Sequence, residues 1–200
     1  MAVRGDLGGS EARVSPPPRL LLASTSPQRR AILEQLRIPF DVVAPDFHEA
    51  PGTSPLERAA GKARSIPPGH GPVLGVDTEV LLDGELLGKP RSADDAEEML
   101  ASLAGRTHEV VSGLCLRTHS WEELREATTH VTFRPLTRRD LARYAASGEW
   151  HGRAGGYAVQ GLGASLVERI EGDYLNVVGL PGTLLVHLLA TRFAGTYGFG

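Results

Sequence analysis

An aspartate set in an apolar strand, with a lysine just beyond the following hairpin, gives the first chemical expectation. In VLGVDTEVLLDGELLGKP (73–90), Leu74, Val76, Thr78, Val80 and Leu82 share one parity, and only Thr78 breaks the apolar run. Asp83-Gly84 suits a tight turn, and Glu85–Leu87 starts the return strand. A carboxylate at Asp77 and an ammonium at Lys89 can therefore face one cleft. The competing reading is an ordinary exposed face with a surface lysine.

A second set of residues suits phosphate. Leu20–Ala23 reads as a short buried strand, and STSPQRR (24–30) runs from it into a helix, with Ser26 as cap and Pro27 in the first helical position. A helix N-terminus offers unpaired N–H groups and the positive end of a dipole. Ser24, Thr25 and Ser26 add hydroxyls, and Arg29 and Arg30 add charge. The glycines of a P-loop or a dinucleotide fingerprint are missing, so a capped helix with solvated arginines competes with this reading. Asp46, Glu49 and Asp77 supply acids that can hold a divalent metal or activate water. Of 21 lysines and arginines only Lys62 and Lys89 are lysines, which singles out both positions, since a compact ammonium suits a phosphate oxygen.

Other chemistries find little support. The seven histidines have no HxxxH or HxH spacing and no cysteine pair beside them, against a zinc site, and there is no GxSxG elbow. Cys115 is the single cysteine, so no internal disulfide forms, and its apolar surroundings mark a buried structural thiol in a reducing cytoplasm. A formal net charge of -3 gives no general attraction to nucleic acid or anionic membrane. No apolar run is long enough to span a bilayer, and the N-terminus lacks the apolar core of a signal peptide.

The elements needed to hold these residues follow from pattern. Residues 1–18 read as a disordered arm and 19–195 as a single domain. Helices are expected from Pro27, over Ser54–Ser65, from Ser92 (with Asp95 in a capping-box position) to Gly105, from Thr137 (with Asp140) to Gly148, and from Pro181 to about Phe193. Strands are expected at Phe40–Val43, Val110–Leu116 and Thr128–Phe133. The glycine-rich stretch 152–163 reads as loop around a short strand, and Leu166–Ile170 and Tyr174–Val178 as a hairpin across Glu171-Gly172-Asp173. Such alternation implies an α/β fold with a mixed twisted sheet flanked by helices.

Four segments in register, LLASTSPQRRAILEQL, GVDTEVLLDGELLGKP, DDAEEMLASLAGRTHEVVSG and AGGYAVQGLGASLVERIEGDYLNVVGLP, resemble the Maf family of nucleoside-triphosphate pyrophosphatases. The resemblance runs from Leu20 to about Ala190. It implies two lobes around a central cleft, as in inosine-triphosphate pyrophosphatases, and a homodimer, although no exposed apolar helix face marks an interface. It also implies cleavage of a nucleoside triphosphate to the monophosphate and pyrophosphate with Mg²⁺ or Mn²⁺. By resemblance Ser24, Arg29, Lys62 and Lys89 bind phosphate, Glu49 and Asp77 hold metal, Asp77 is catalytic, and Gln160 selects the base. Gln160 both donates and accepts hydrogen bonds, as a pyrimidine edge requires, and its setting resembles the dTTP/UTP branch. The alternatives are the branch acting on CTP, UTP or 7-methyl-GTP, a nucleotide-binding regulator of cell division without turnover, and a dead site.

Two departures from the family pattern stand out. Gln28 replaces the first arginine of the usual Ser-Pro-Arg-Arg, and Arg30 cannot substitute for it, because one residue along a helix turns a side chain by about 100°. Phosphate affinity is then lower, or another arginine compensates. Gly152-Arg153 stands where many members carry Asp-Lys, keeping the charge but losing the acid.

Overall fold

Strand β3 (Val73–Leu82) lies at the middle of a seven-stranded sheet in a computed structural model that describes residues 16–67, 69 and 71–200. The path across the sheet is β2 (Phe40–Val43), β1 (Leu20–Ala23), β3, β5 (Thr107–Arg117), β6 (Glu122–Phe133) and β7 (Val167–Glu171), with β4 (Glu85–Leu87) paired to the end of β3. Pairs β1–β2 and β1–β3 are parallel and the others antiparallel, which is the expected mixed sheet. The turn at Asp83-Gly84 has φ of 53° and 83°, the left-handed pair that a two-residue hairpin needs.

The even-numbered face of β3 carries two cores. Leu74 and Val76, with Leu114 and Leu116 of β5, pack under α1 (Pro27–Gln35) and α6 (Gly182–Arg192). Val80 and Leu82, with Val110, pack with α3 (Ala93–Leu103) and α4 (Arg138–Ser147). Between them Thr78 stands opposite Ser112, their hydroxyls 2.7 Å apart. The polar break in the strand pattern therefore marks the boundary between two lobes. On the opposite face α2 (Pro55–Arg64) lies close to the sheet, because Gly75 has no Cβ to hold it off. Cys115 is buried there, and burial pushes its thiol up to about 12, consistent with a structural role.

Helix ends follow the expected chemistry with two exceptions. Ser54 and Thr137 form full capping boxes with Glu57 and Asp140, and Gly148 ends α4 in the left-handed region. Ser26 occupies the cap position of α1, but its hydroxyl bonds Gln28 rather than the helix backbone. Ser92 accepts from Asp95 N–H, whereas the Asp95 carboxylate accepts from Arg91 N–H, so the reciprocal half of that box does not form.

Two expectations fail. The stretch 152–163 holds no strand; Ala154–Gly156 forms a 3-10 turn and a second covers Leu162–Leu166. Tyr174–Val178 is not the return arm of a hairpin but a short helix, α5, and β7 pairs with β6 instead. Asp173 dictates this outcome: its Oδ1 caps Leu175 N–H and its Oδ2 accepts from Thr183 N–H. Asn176, fully buried, then donates to the carbonyls of Val110 and Ala127, a contact that a strand register would break. Strands β5 and β6 also run longer than their apolar runs, since polar residues on the open face still join the ladder. Of the arm at 1–18, residues 1–15 lie outside the described residues. Pro18 is held by the hydroxyl of Tyr197, which packs into the first core.

His108, on β5, is almost fully buried; its Nε2 meets the Tyr157 hydroxyl at 2.8 Å, and Nδ1 has no partner among the described residues. Burial holds its pKa down to about 4, below the usual 6.5. The unfolded chain therefore binds this proton first as pH falls, and stability drops below about pH 6.5 until the folded pKa is passed. The expected loss from this group is about 2 kcal/mol between pH 7.5 and pH 5. Urea midpoints across that interval should fall less steeply in His108→Gln, and equal slopes would contradict the assignment.

Candidate active site

The site residues that the family resemblance assigns (Ser24, Arg29, Glu49, Lys62, Asp77, Lys89 and Gln160) line one cleft of about 630 Å³ between the two lobes. Asp46 does not reach it and is exposed, as is Arg30, which points elsewhere as its place on α1 requires. The cleft is lined by the carboxyl end of β1, by β3 and the β3–β4 hairpin, and by Tyr157 and Gln160 from the stretch between the two 3-10 turns.

The β1–α1 junction is built around Arg29. Its Nε donates to Gly179 O at 2.9 Å and one terminal nitrogen to Ser24 Oγ at 3.0 Å. Thr78 Oγ1 lies 3.5 Å from the other, so the lobe boundary seen in β3 is also where this guanidinium rests. Burial draws the Arg29 pKa below its ordinary value, and Asp77 and Glu49 oppose that shift. All the acceptors that hold it are neutral, so its charge remains for a ligand. Ser24 Oγ accepts from Arg29 and from Ser26 N–H, which leaves its own proton to donate.

Asp77 projects from β3 toward α2. Its Oδ2 accepts from Arg58 Nε at 2.6 Å, and its Oδ1 is paired with Lys62 Nζ. Lys62 also meets Glu49 Oε1 at 2.7 Å, and Arg58 meets Glu79 Oε2 at 2.6 Å. Burial works against the charge on Arg58, but its bonds to Glu79 and Asp77 hold its pKa above the ordinary value. Three acids thus alternate with two cations along one strip. The loop bearing Glu49 is anchored by Phe47, whose ring fills the space over Gly61 where a Cβ would lie 2.1 Å away.

Arg58 and Glu79 escaped the sequence reading, although the signal was present. Arg58 lies one helical turn before Lys62, and Glu79 two strand positions after Asp77, so each shares a face with a residue already chosen. Treating arginine as the default surface cation hid Arg58.

All three acids are paired with Arg58 or Lys62. Arg29, Lys89 and Arg153 line the same cleft and make no ion pair among the described residues. These three cations stand outside the paired strip, and Arg29 still lies close enough to Asp77 and Glu49 to feel their charge. Among the described residues no group of three His, Cys, Asp or Glu side chains is arranged to hold a metal alone. Glu49 and Asp77 do converge on one ammonium, and their hard oxygen donors fit Mg²⁺ or Mn²⁺ completed by phosphate oxygens. No helix of the described residues is long and apolar enough to cross a membrane.

Comparison with known proteins identifies the family. A family model described as Maf-like protein matches residues 19–192. The chain is 44% identical over 192 residues to the dTTP/UTP pyrophosphatase of Deinococcus radiodurans, covering 92% of this chain and 96% of that protein. It is 46% identical over 185 residues to the dTTP/UTP pyrophosphatase of Nitratidesulfovibrio vulgaris, with 88% of each covered. A third relative, the dTTP/UTP pyrophosphatase of Symbiobacterium thermophilum, is 44% identical over 184 residues, with 88% of this chain and 94% of the relative covered. With its mixed sheet, its two lobes and the cleft between them, the chain belongs to the Maf-like family.

Proposed function

We propose that the chain hydrolyses dTTP and UTP to the nucleoside monophosphate and pyrophosphate, with Asp77 taking the proton of the attacking water. The reading is carried by the cleft's lining, which combines a paired carboxylate strip with cations that have no acidic partner among the described residues, and is supported by the relatives' names. A triphosphate brings several negative charges, and Arg29, Lys89 and Ser24 are the groups free to meet it. Charge that develops on the leaving pyrophosphate is stabilised by the same cations, already in place before the reaction begins. Lys62 sits between Glu49 and Asp77 in the lining of the cleft, where its ammonium can hold Asp77 and a phosphate oxygen together.

Each Asp77 oxygen accepts from one cation and keeps a second lone pair, so Asp77 can receive a proton without losing its anchors. Glu49 and Asp77 would hold the divalent ion, Mg²⁺ or Mn²⁺, which when bound neutralises phosphate charge and activates water. The chain's own residues orient the tail: Arg29 is fixed by Gly179, and Ser24 by the end of β1. A homodimer in the cytoplasm is part of the same proposal; light scattering at the monomer mass would remove the dimer.

Gln160 lines the same cleft as Tyr157, and can offer both a donor and an acceptor to a uracil or thymine edge. Gln160→Leu is expected to raise KM for UTP and dTTP about tenfold with little change in kcat. An unchanged KM would take Gln160 out of base selection. The whole reading is tested by pyrophosphate release from dTTP, UTP, CTP, 7-methyl-GTP and ITP with Mg²⁺ and with Mn²⁺. Preference for dTTP and UTP supports it. Release mainly from CTP or 7-methyl-GTP would reassign the base pocket, and binding without any release would indicate a nucleotide sensor.

A further inference from the structure

The Gln28 amide faces both terminal nitrogens of Arg153 across the cleft, at 2.9 and 2.6 Å, and its other atom lies 2.9 Å from Ser26 Oγ. Guanidinium nitrogens only donate, so the Gln28 atom that faces them is the carbonyl oxygen, and the amide nitrogen is the one that donates to Ser26. Arg153 is anchored through its backbone as well: its N–H donates to Trp150 O, and its carbonyl accepts from Gly156 N–H, each at 3.1 Å. Its side chain makes no ion pair among the described residues.

A guanidinium held in a cleft by a neutral amide keeps its full charge while losing its freedom to move. A carboxylate in the place of Gln28 would hold Arg153 more strongly but cancel that charge. An arginine there would repel it. Glutamine is the side chain of this length that orients the cation and leaves it usable. Gln28 and Arg153 are also two of the three cleft positions, with Gly152, at which the sequence departs from the pattern it resembles, and the structure brings the two side chains into contact.

We propose that Arg153 is a phosphate-binding residue of this cleft, positioned by Gln28, and that the two act as one unit. The inference rests on the phosphate-tail reading above and adds a third unpaired cation, delivered from the second lobe, to Arg29 and Lys89. The planar fork of Arg153 still has three N–H donors beyond the two that Gln28 takes, enough for the paired contact that phosphate oxygens favour.

The test uses the full chain and inorganic tripolyphosphate, bound without turnover and followed by calorimetry. Arg153→Ala should weaken binding about 10-fold to 100-fold. Gln28→Ala should weaken it several-fold in the native background and have no effect once Arg153 is alanine. Gln28→Glu discriminates most sharply. If Arg153 served only to brace the two lobes, a carboxylate partner would leave binding unchanged and raise the melting temperature. If Arg153 holds phosphate, Gln28→Glu should weaken binding nearly as much as Arg153→Ala, even where the new ion pair raises the melting temperature. Native-like tripolyphosphate affinity in Gln28→Glu, or in a folded Arg153→Ala chain, would overturn the proposal. Because the binding assay needs no turnover, such a result with normal dTTP hydrolysis would sink this inference alone. Loss of dTTP hydrolysis in the native chain would instead sink the reading it rests on.

Discussion

Asp77→Asn is expected to lower turnover of dTTP about a thousandfold while leaving nucleotide binding largely intact. The substitution keeps the shape and removes the base. It also places an amide NH₂ against either Arg58 Nε or Lys62 Nζ, two donors that the native carboxylate satisfies with separate oxygens. Some stability should therefore be lost, and the assay belongs at a temperature where the melting curve shows the variant folded. Turnover within about tenfold of native would remove Asp77 from the chemical step. Retained turnover would also mean that the alternating strip of Glu49, Lys62, Asp77, Arg58 and Glu79 is structural, a network of half-buried ion pairs and no more.

Gly75→Ala should have the largest effect on the fold. A Cβ there would lie 2.1 Å from Ala59 O and 2.9 Å from Ala63 Cβ, both on α2. Backbone cannot yield as a flexible side-chain tip does, so the helix must shift, at a cost of about 3 kcal/mol. The consequence reaches the site, because α2 carries Arg58 and Lys62, which hold both oxygens of Asp77. The variant should lose activity even where it remains folded, about a hundredfold, since misplacement on the scale of an ångström is enough. Urea unfolding and turnover measured together decide this. A destabilised variant with native turnover would show that α2 does not position the acid.

Much of the fold was legible because its signals are local. Alternation along β3, Asp83-Gly84, Pro55 just inside the start of α2, and Thr137 with Asp140 each name an element and its limits. Thr78 was visible as a break in an apolar run, but its meaning needed the register: only pairing with Ser112 shows that two cores meet there. Where the sequence misled, distant partners decide the conformation. Tyr174–Val178 has strand-like composition, yet Asp173 caps it as a helix and Asn176 bonds carbonyls of β5 and β6. The 3-10 turns near Gly155 and Leu162 follow the packing of the second lobe rather than any period in the residues.

The site shows the same division. The residues assigned by family resemblance, from Ser24 to Gln160, all reached the cleft, whereas Asp46 and Arg30, chosen on charge alone, did not. Arg58 and Glu79 are equally close to Asp77 but belong to no chemical pattern by themselves, and only helix and strand periodicity would have picked them. The contact between Gln28 and Arg153 spans 125 positions and two lobes, and nothing local in either segment announces it.

The most direct test of the central claim is hydrolysis of dTTP in oxygen-18 water, with products separated and weighed. Attack of water on the α-phosphorus, with Asp77 accepting its proton, places the label in the monophosphate and leaves the released pyrophosphate unlabelled. Label in pyrophosphate, or release of orthophosphate in its place, would mean that the chain cleaves at a different phosphorus, and the assignment of the cleft would fall.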